Sequence, residues 1–462
     1  MDYSAANTGL WTFVIQFGML AGILLLANVL SRKVKLVRKA MIPTSVLGGF
    51  IALLFRSLGI LPMDGTFLEY ITYHAIAIGF IALSLRVPKK YAEKDKKDLA
   101  GLKSGALIVS TYIVQGILGL IISISLAYTI MPNLFKASGI LLPMGYGQGP
   151  GQANNVGSTY EQLGFAGGQS FGLSIATAGF VCACVVGVTY LNILKRKGIV
   201  KTKESEYVSG SVTVDEFQDE NEIPISQSID RFSVQAALVL LVYLATYLVS
   251  LGLTSFLAQV APGMSKTLSA LIWGFNFIIG SLLAIACRAG LGALRKAKLM
   301  KRQYPNNYLL SRVSGLSFDF MIVAGIASIE FKELKGLWIP FLLISILGGI
   351  VTFYYLKWLC RKIYPDYEHE AMISMYGMLT GTISSGVVLL REIDPTYKTP
   401  AANNLLTGSS FAILLGAPML ILIGIAPESN AMLFLALGLL FIYLVPLLLI
   451  MLKLRRRKPT NN

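Results

Sequence analysis

The chain alternates between long apolar stretches and short polar breaks along nearly its whole length. About eleven stretches are long enough to form a helix of roughly 20 residues, which crosses about 30 Å of hydrocarbon. The pattern therefore predicts an all-α polytopic membrane protein with about 11 transmembrane helices. The expected spans lie near 9–30, 41–60, 67–86, 104–131, 168–194, 232–258, 267–288, 315–331, 337–360, 400–425 and 429–453.

Two shorter glycine-rich segments interrupt this series, near 139–164 and 371–392. Each lies between the fourth and fifth spans of a set of five and is polar at its middle. Such a segment cannot face lipid, because its backbone polar groups would have no partners there. We expect a re-entrant hairpin in each case. Five crossings reverse the direction of the following set, so the pattern predicts two inverted-topology repeats at 1–194 and 232–425.

Two further parts complete the expected organisation. Residues 195–231 begin basic and then turn acidic and polar, which predicts a flexible cytoplasmic linker between the repeats. Residues 426–462 are expected to form an additional C-terminal helix and a basic tail.

Composition and charge agree with a membrane location. The 462 residues are 55% apolar and 14% charged, which leaves too much apolar surface for a soluble globule. The net charge of +16 would suit nucleic acid, but about 35 of the 40 Lys and Arg residues fall on one face of the expected topology. By the positive-inside rule that face is cytoplasmic, so the N-terminus is expected outside, the C-terminus inside, and no nucleic-acid partner is needed. Without a signal-peptide pattern, a prokaryotic plasma (inner) membrane is expected.

The tips of the two hairpins are the strongest indication of a transport site. Sliding the first hairpin onto the second by about 230 positions pairs Gly147 with Gly377, Gly151 with Gly381, and the pair Asn154–Asn155 with Ser384–Ser385. Broken helices at matching places in inverted halves favour a binding site near the membrane midplane, since free N–H groups at a helix start attract a carboxylate. The candidate substrate-binding residues are Gln148, Gly149, Gly151, Gln152, Asn154, Asn155, Thr380, Gly381, Thr382, Ser384 and Ser385.

Side-chain and backbone oxygens around these breaks are hard ligands of the kind that sodium accepts. The candidate ion ligands are Asn403, Asn404, Thr407, Ser410 and Asp319. Two alternatives remain open: these polar residues could only join helices to one another, and Asp319 could cap the start of its helix. His74, Glu69 and Glu330 are further ionisable residues of the spans, and Glu161 and Arg391 close the hairpins as gate residues or anchors.

The glycine-rich hairpins, the repeat order and the segment Ser317–Leu334 resemble the bacterial sodium/glutamate symporter family over most of both repeats. The resemblance implies an inverted-repeat fold with two oppositely oriented hairpins meeting at the substrate site, sodium-coupled uptake and a homodimer. The first tip, Gly147–Gln152, departs from the glycine-histidine-glycine-threonine type of tip expected for that family. The substrate is therefore left open.

The expected function is sodium-coupled symport of a small carboxylate or amino acid such as glutamate, by alternating access. Sodium would be the coupling ion, with no other cofactor. Proton-coupled or facilitated export of a small organic solute remains the alternative, with Asp319 and His74 as titrating groups. We find no cluster of catalytic groups that would indicate an enzyme and no phosphate-binding loop that would indicate ATP drive.

Overall fold

The structure is a computed structural model, and it describes most of the chain. The described residues are 3–35, 37, 42–87, 100–199, 225–260, 269, 272–274, 276–300, 304–394 and 399–453. Within these ranges the chain is helical and contains no strand.

Fourteen α-helices are described. In chain order they are α1 (Thr8–Lys33), α2 (Thr44–Ser57), α3 (Gly65–Leu85), α4 (Ala100–Thr129), α5 (Pro150–Gln162), α6 (Gly168–Arg196), α7 (Ile225–Val260), α8 (Asn276–Lys296), α9 (Asn307–Ala327), α10 (Trp338–Ile363), α11 (Glu368–Thr380), α12 (Ile383–Arg391), α13 (Ala401–Ile425) and α14 (Asn430–Lys453). Short turns of 3₁₀ and π-helix, Lys136–Ile140 and Pro143–Gly147, precede α5, and a 3₁₀ turn, Pro365–Tyr367, precedes α11.

Nine of the described helices are long and apolar enough to cross a membrane, which confirms a multi-pass membrane protein. Helix α13 bends by 47° after Ser409 and makes a tenth crossing if its two parts are taken together. Helix α2 has only 14 residues and rises about 21 Å, less than the roughly 30 Å of a hydrocarbon core. The expectation of about eleven spans therefore exceeds the nine helices that are long enough.

Several boundaries differ from the expected ones. Helix α9 begins at Asn307 rather than near 315, because Asn306 caps it by accepting a hydrogen bond from the Leu309 N–H at 3.0 Å. Helix α7 begins at Ile225, inside the expected linker, while α6 ends at Arg196. Most of that linker, residues 200–224, lies outside the described residues, as do the basic tail 454–462 and most of the expected start of α8.

Side-chain contacts show which helix termini lie together. The termini form two groups, one at each end of the bundle. At the first end, Arg56 lies 2.8 Å from Glu330, and Lys136 donates to Asn430 at 2.8 Å. At the second end, the Arg288 guanidinium donates to the backbone carbonyl of Arg86 at 2.7 Å. These contacts agree with the division of loops between two faces that the charge pattern predicts.

The chain reverses direction in each of the two interrupted segments. In the first, Phe135 before the 3₁₀ turn stacks on Phe165 after α5, with ring centroids 5.0 Å apart. In the second, α11 and α12 lie against each other, so a Cβ added to Gly377 would meet the Gly386 backbone at 2.8 Å. The base of the first segment lies at the first end of the bundle. The base of the second lies at the second end, where Lys195 and Glu392 are 3.9 Å apart.

Buried tyrosines anchor both segments inside the bundle. Tyr146 donates to the Ser345 carbonyl at 2.7 Å, Tyr160 to the Ile423 carbonyl at 2.8 Å, and Tyr376 to the Gly349 carbonyl at 3.4 Å. Each ring is fully buried, and each hydroxyl donates to a backbone carbonyl. Burial of these tyrosines therefore leaves no hydroxyl without a hydrogen-bond partner. The least apolar helix of the bundle, α5, is thereby enclosed by protein.

Candidate functional site

A central cavity of about 280 Å³ lies where the two interrupted segments approach each other. Both breaks contribute to its wall, together with α3, α4, α8, α9 and α13. The lining is mostly apolar with a few polar groups, as in most small-molecule sites. The lining residues are Ile76, Phe80, Leu83, Tyr112, Gly147, Gln148, Gln152, Phe277, Ile278, Ser281, Gly315, Phe318, Asp319, Met321, Ile322, Met378, Gly381, Thr382, Ile383, Ser409, Ala412, Ile413, Gly416 and Leu420.

We call residues 147–152 the first tip and residues 380–385 the second tip. The two tips lie close together: a Cβ added to Gly149 would be 3.7 Å from the Gly381 carbonyl oxygen and 3.7 Å from Thr382 Cγ2. Because their segments start from opposite ends of the bundle, the tips meet near its middle.

The first tip depends on glycine at two positions. Gly149 precedes α5 with φ of 90°, a conformation that side-chain-bearing residues rarely adopt. Gly151, in the first turn of α5, packs so closely that an added Cβ would overlap Ile76 and lie 2.6 Å from Met321 Sδ. No side chain caps this helix start, so the donors of its first turn are not used by a cap.

The second tip uses a conventional cap. Thr382 precedes α12, and its hydroxyl accepts a hydrogen bond from the Ser385 N–H at 3.5 Å. Thr380 is fully buried, and its hydroxyl donates to the Tyr376 carbonyl at 2.8 Å. This tip thus satisfies several of its own polar groups.

Gln152 is a buried polar group without a protein partner in the cavity wall. Its side chain is 1% exposed, and its Oε1 atom has no hydrogen-bond partner. An unpaired buried amide oxygen costs about 1–3 kcal/mol. A bound solute that donates a hydrogen bond would remove this cost.

Asp319 is the carboxylate of the cavity wall. It lies in the second half of α9, so the alternative that it caps the helix start is wrong; Asn306 occupies that position. Ser45 of α2 is the polar side chain beside it, and no described lysine, arginine or histidine forms an ion pair with it.

The structure brings only some of the predicted substrate-binding residues to the cavity. Gln148, Gln152, Gly381 and Thr382 line it, and Gly149 and Gly151 shape the first tip beside it. Two others have different contacts: Asn154 accepts from Gln169 Nε2 at 2.8 Å, and Asn155 donates to the Gly274 carbonyl at 2.8 Å.

Ser385 is buried beside Thr382, and the side chain of Ser384 lies outside what the structure describes. Helix α5 starts at Pro150 and α12 at Ile383, which are 233 positions apart. The matched third residues of the two helices are therefore Gln152 and Ser385 rather than Asn155 and Ser385.

Of the predicted ion ligands, Asp319 alone is described in the cavity wall. Asn404 donates to the Tyr367 hydroxyl at 2.8 Å, near the base of the second segment. Thr407 donates to the Asn403 carbonyl at 2.9 Å, and its Cβ lies 3.6 Å from where a Gly101 Cβ would be. The side chain of Ser410 lies outside the described residues. Helix α13 meets the cavity further along, from Ser409 onward.

Three polar lining residues are outside the candidate substrate and ion sets. Tyr112 packs its ring against Gly147, and Ser281 and Ser409 bond to carbonyls of their own helices at 2.8 and 2.6 Å. Tyr112 and Ser281 lie in spans without a break, so no helix interruption marks them in the sequence. Ser409 lies beside the predicted Ser410, and only the helix rotation distinguishes the two.

The remaining ionisable residues lie away from the cavity. Glu161 accepts from the Gln169 N–H at 3.0 Å at the first end, near Glu333 and Glu69. Burial, with smaller contributions from those two carboxylates, raises the pKa of Glu161 above its ordinary value. His74 contacts the Tyr243 hydroxyl at 2.6 Å and lines a separate lateral cavity with it.

The part of the chain that the structure describes contains no evident metal-binding site. No group of three or more His, Cys, Asp or Glu residues there is arranged to hold a metal ion, and the four cysteines are free. In comparisons with known proteins, no family model matches the chain and no curated protein matches it.

Proposed function

We propose that the protein is a secondary active transporter that couples sodium to the symport of a small carboxylate or amino acid such as glutamate. In this proposal the two interrupted segments are re-entrant hairpins of two inverted repeats, and the membrane is a prokaryotic plasma membrane with the N-terminus outside. Sodium and the solute bind at the central cavity, and access alternates between the two faces.

The observation that carries the proposal is the close approach of two glycine-rich tips whose segments begin at opposite ends of the bundle. A site between such tips can be opened toward either face by moving one side of the protein against the other. The uncapped start of α5 supplies backbone N–H groups and a positive helix end, which favour a carboxylate.

Uptake into proteoliposomes tests the function. The purified protein would be reconstituted and given labelled carboxylates and amino acids, including glutamate, with an inward sodium gradient or with choline in its place. We expect at least one solute to accumulate with sodium and to stop accumulating with choline or after the gradient is collapsed. If sodium drives the accumulation of none of these solutes, sodium symport is rejected.

A proton-coupled or facilitated exporter is the second candidate, and the position of Asp319 in the cavity wall without an ion-paired partner favours it. A carboxylate in such a position can carry a proton across a transport cycle. A pH gradient imposed without sodium distinguishes the two. Accumulation driven by the pH gradient alone would support proton coupling, and counterflow without any ion gradient would support facilitated transport.

A further inference from the structure

The charge balance of the central cavity is one-sided. Among the described lining residues there is one carboxylate, Asp319, and no lysine, arginine or histidine. A carboxylate in mostly apolar surroundings is costly unless a positive group pairs with it. The cavity therefore lacks one positive charge that a bound solute could supply.

Open space lies directly beside this carboxylate. Gly315 precedes Asp319 by one helical turn and also lines the cavity. A Cβ added to Gly315 would meet no atom within 4 Å. A ligand group can thus approach Asp319 along the face of α9.

A second unsatisfied group points to the same kind of ligand. Gln152 is 1% exposed, lines the cavity and has no partner for Oε1. That oxygen can only accept a hydrogen bond, and an ammonium group supplies three donors. The uncapped start of α5, in the same turn as Gln152, is left to hold the carboxylate of the solute.

The rest of the wall is suited to an apolar body. Ile76, Phe80, Phe277, Phe318 and Ile322 present hydrocarbon and aromatic surface to the cavity. The second carboxylate of glutamate would lie against this surface without a basic partner among the described residues, which is costly.

We propose that the solute is an apolar α-amino acid whose ammonium group pairs with Asp319 and whose carboxylate lies at the start of α5. This proposal rests on the transport function proposed above and narrows its substrate class. Sodium at Asp319 is the competing assignment. It is less favoured because Ser45 is the one polar side chain described beside Asp319, whereas sodium prefers a shell of several oxygens.

Binding of three related compounds to the purified full-length protein tests the proposal. L-leucine has an ammonium group and an apolar body, 4-methylpentanoate is the same molecule without the ammonium group, and L-glutamate adds a second carboxylate. By calorimetry in sodium buffer, we expect leucine to bind at least about tenfold more tightly than either of the others.

The variant Asp319→Asn should weaken leucine binding by about tenfold or more, and it should leave 4-methylpentanoate binding unchanged or tighter, because it removes a like charge near the carboxylate. The ratio of the two affinities cancels any general loss of folded protein. Glu428→Gln removes an exposed carboxylate between α13 and α14, outside the cavity, and is the matched control. If Asp319→Asn fails to fold, Gly315→Leu tests the same place by filling the space beside the carboxylate, and it should exclude leucine.

Equal affinity for leucine and 4-methylpentanoate, tighter binding of glutamate, or no binding of any of the three would overturn the proposal. Equal weakening of both monocarboxylates by Asp319→Asn, together with lost sodium dependence, would assign Asp319 to sodium instead. The proposed function is judged separately: sodium-driven uptake confined to dicarboxylates would preserve symport and reject the apolar amino acid.

Discussion

The two tips perform the same structural task with different local chemistry. The first tip begins α5 with Gly149 at φ of 90° and no side-chain cap, and Gly151 lies in close contact with α3 and α9. The second tip begins α12 with Thr382, whose hydroxyl accepts from the Ser385 N–H. The first tip therefore keeps its helix donors and the Gln152 oxygen available for a ligand, while the second tip satisfies its own groups. The difference predicts that ligand binding depends mainly on the first tip.

The largest expected effect comes from Gly151→Ala. Its Cβ would overlap Ile76 and press on Met321 Sδ, and overpacking of this kind costs about 1–3 kcal/mol. We expect sodium-driven uptake in proteoliposomes to fall by about 10–100-fold. Gly381→Ala at the second tip should cost less because the overlap is smaller: its Cβ would meet nothing closer than Ser385 Oγ at 2.9 Å and the Gly377 carbonyl oxygen at 3.0 Å.

The matched control for this pair is Gly252→Ala in α7, where an added Cβ meets nothing within 4 Å. This variant should transport like the wild type. An equal loss of uptake in Gly151→Ala and Gly381→Ala would contradict the asymmetry of the tips.

Gln152→Leu should separate binding from stability. Replacing an unsatisfied buried amide with an apolar side chain of similar size is expected to leave the melting temperature unchanged or raise it. Solute affinity should nevertheless fall by about tenfold, because the ligand loses an acceptor.

Gln115→Leu, just behind the first tip, is the matched comparison. Gln115 Oε1 is unpaired like that of Gln152, but Gln115 Nε2 donates to Thr352 Oγ1 at 3.0 Å and to the Leu379 carbonyl at 2.9 Å. Because these two bonds would be lost, its replacement should lower stability by about 1–3 kcal/mol. Thermal unfolding in detergent measures both variants. A fall in melting temperature for Gln152→Leu as large as that for Gln115→Leu would mean that Gln152 is a structural residue.

Thr382→Ala should have a moderate effect confined to the second tip. Loss of the cap costs about 0.5–1 kcal/mol, at the lower part of the usual range because the hydrogen bond is 3.5 Å long. We expect a small fall in melting temperature and a loss of affinity of less than about fivefold. Thr382→Ser keeps the capping oxygen and should restore the wild-type values; without that recovery, the methyl group rather than the cap would be responsible.

The smallest effect is expected at the base of the first segment. The raised pKa of Glu161 means that its carboxyl group holds a proton more tightly in the folded chain than in the unfolded chain. The associated stability is complete below the ordinary pKa of 4.5 and is lost as the pH rises through the raised value. The variant Glu161→Gln should therefore show a flatter dependence of melting temperature on pH between 4.5 and neutrality.

Glu392→Gln is the control at the base of the second segment, where Glu392 lies 3.9 Å from Lys195. It retains Glu161 and should keep the wild-type pH dependence over that range. The same slope in Glu161→Gln as in the wild type would show that other groups cause the dependence.

Much of the architecture could be predicted because it depends on local composition. Apolar stretches marked the nine long helices, and polar glycine-rich stretches marked both chain reversals. The helix boundaries were less accurate where polar residues begin a helix, as at Asn307, because a cap and an exposed first turn look like a loop in sequence. The pairing of the tips by about 230 positions was displaced for a different reason. It matched Gly151 with Gly381, but Gly151 lies inside α5 whereas Gly381 lies in the break before α12.

The same distinction between local composition and tertiary packing applies to the site. Sequence alone determined that the chain is a helical membrane protein and that two breaks interrupt it. It also placed Gln148, Gln152 and Thr382 at those breaks. These features could be predicted because apolar stretches, glycines and polar clusters determine local structure within a few residues. Only tertiary structure decided that Asp319 faces the cavity, and that Tyr112 and Ser281 join it. Likewise, packing directs the side chains of Asn154 and Asn155 to Gln169 and Gly274, since the rotation of each helix against its neighbours chooses the partner of every polar side chain.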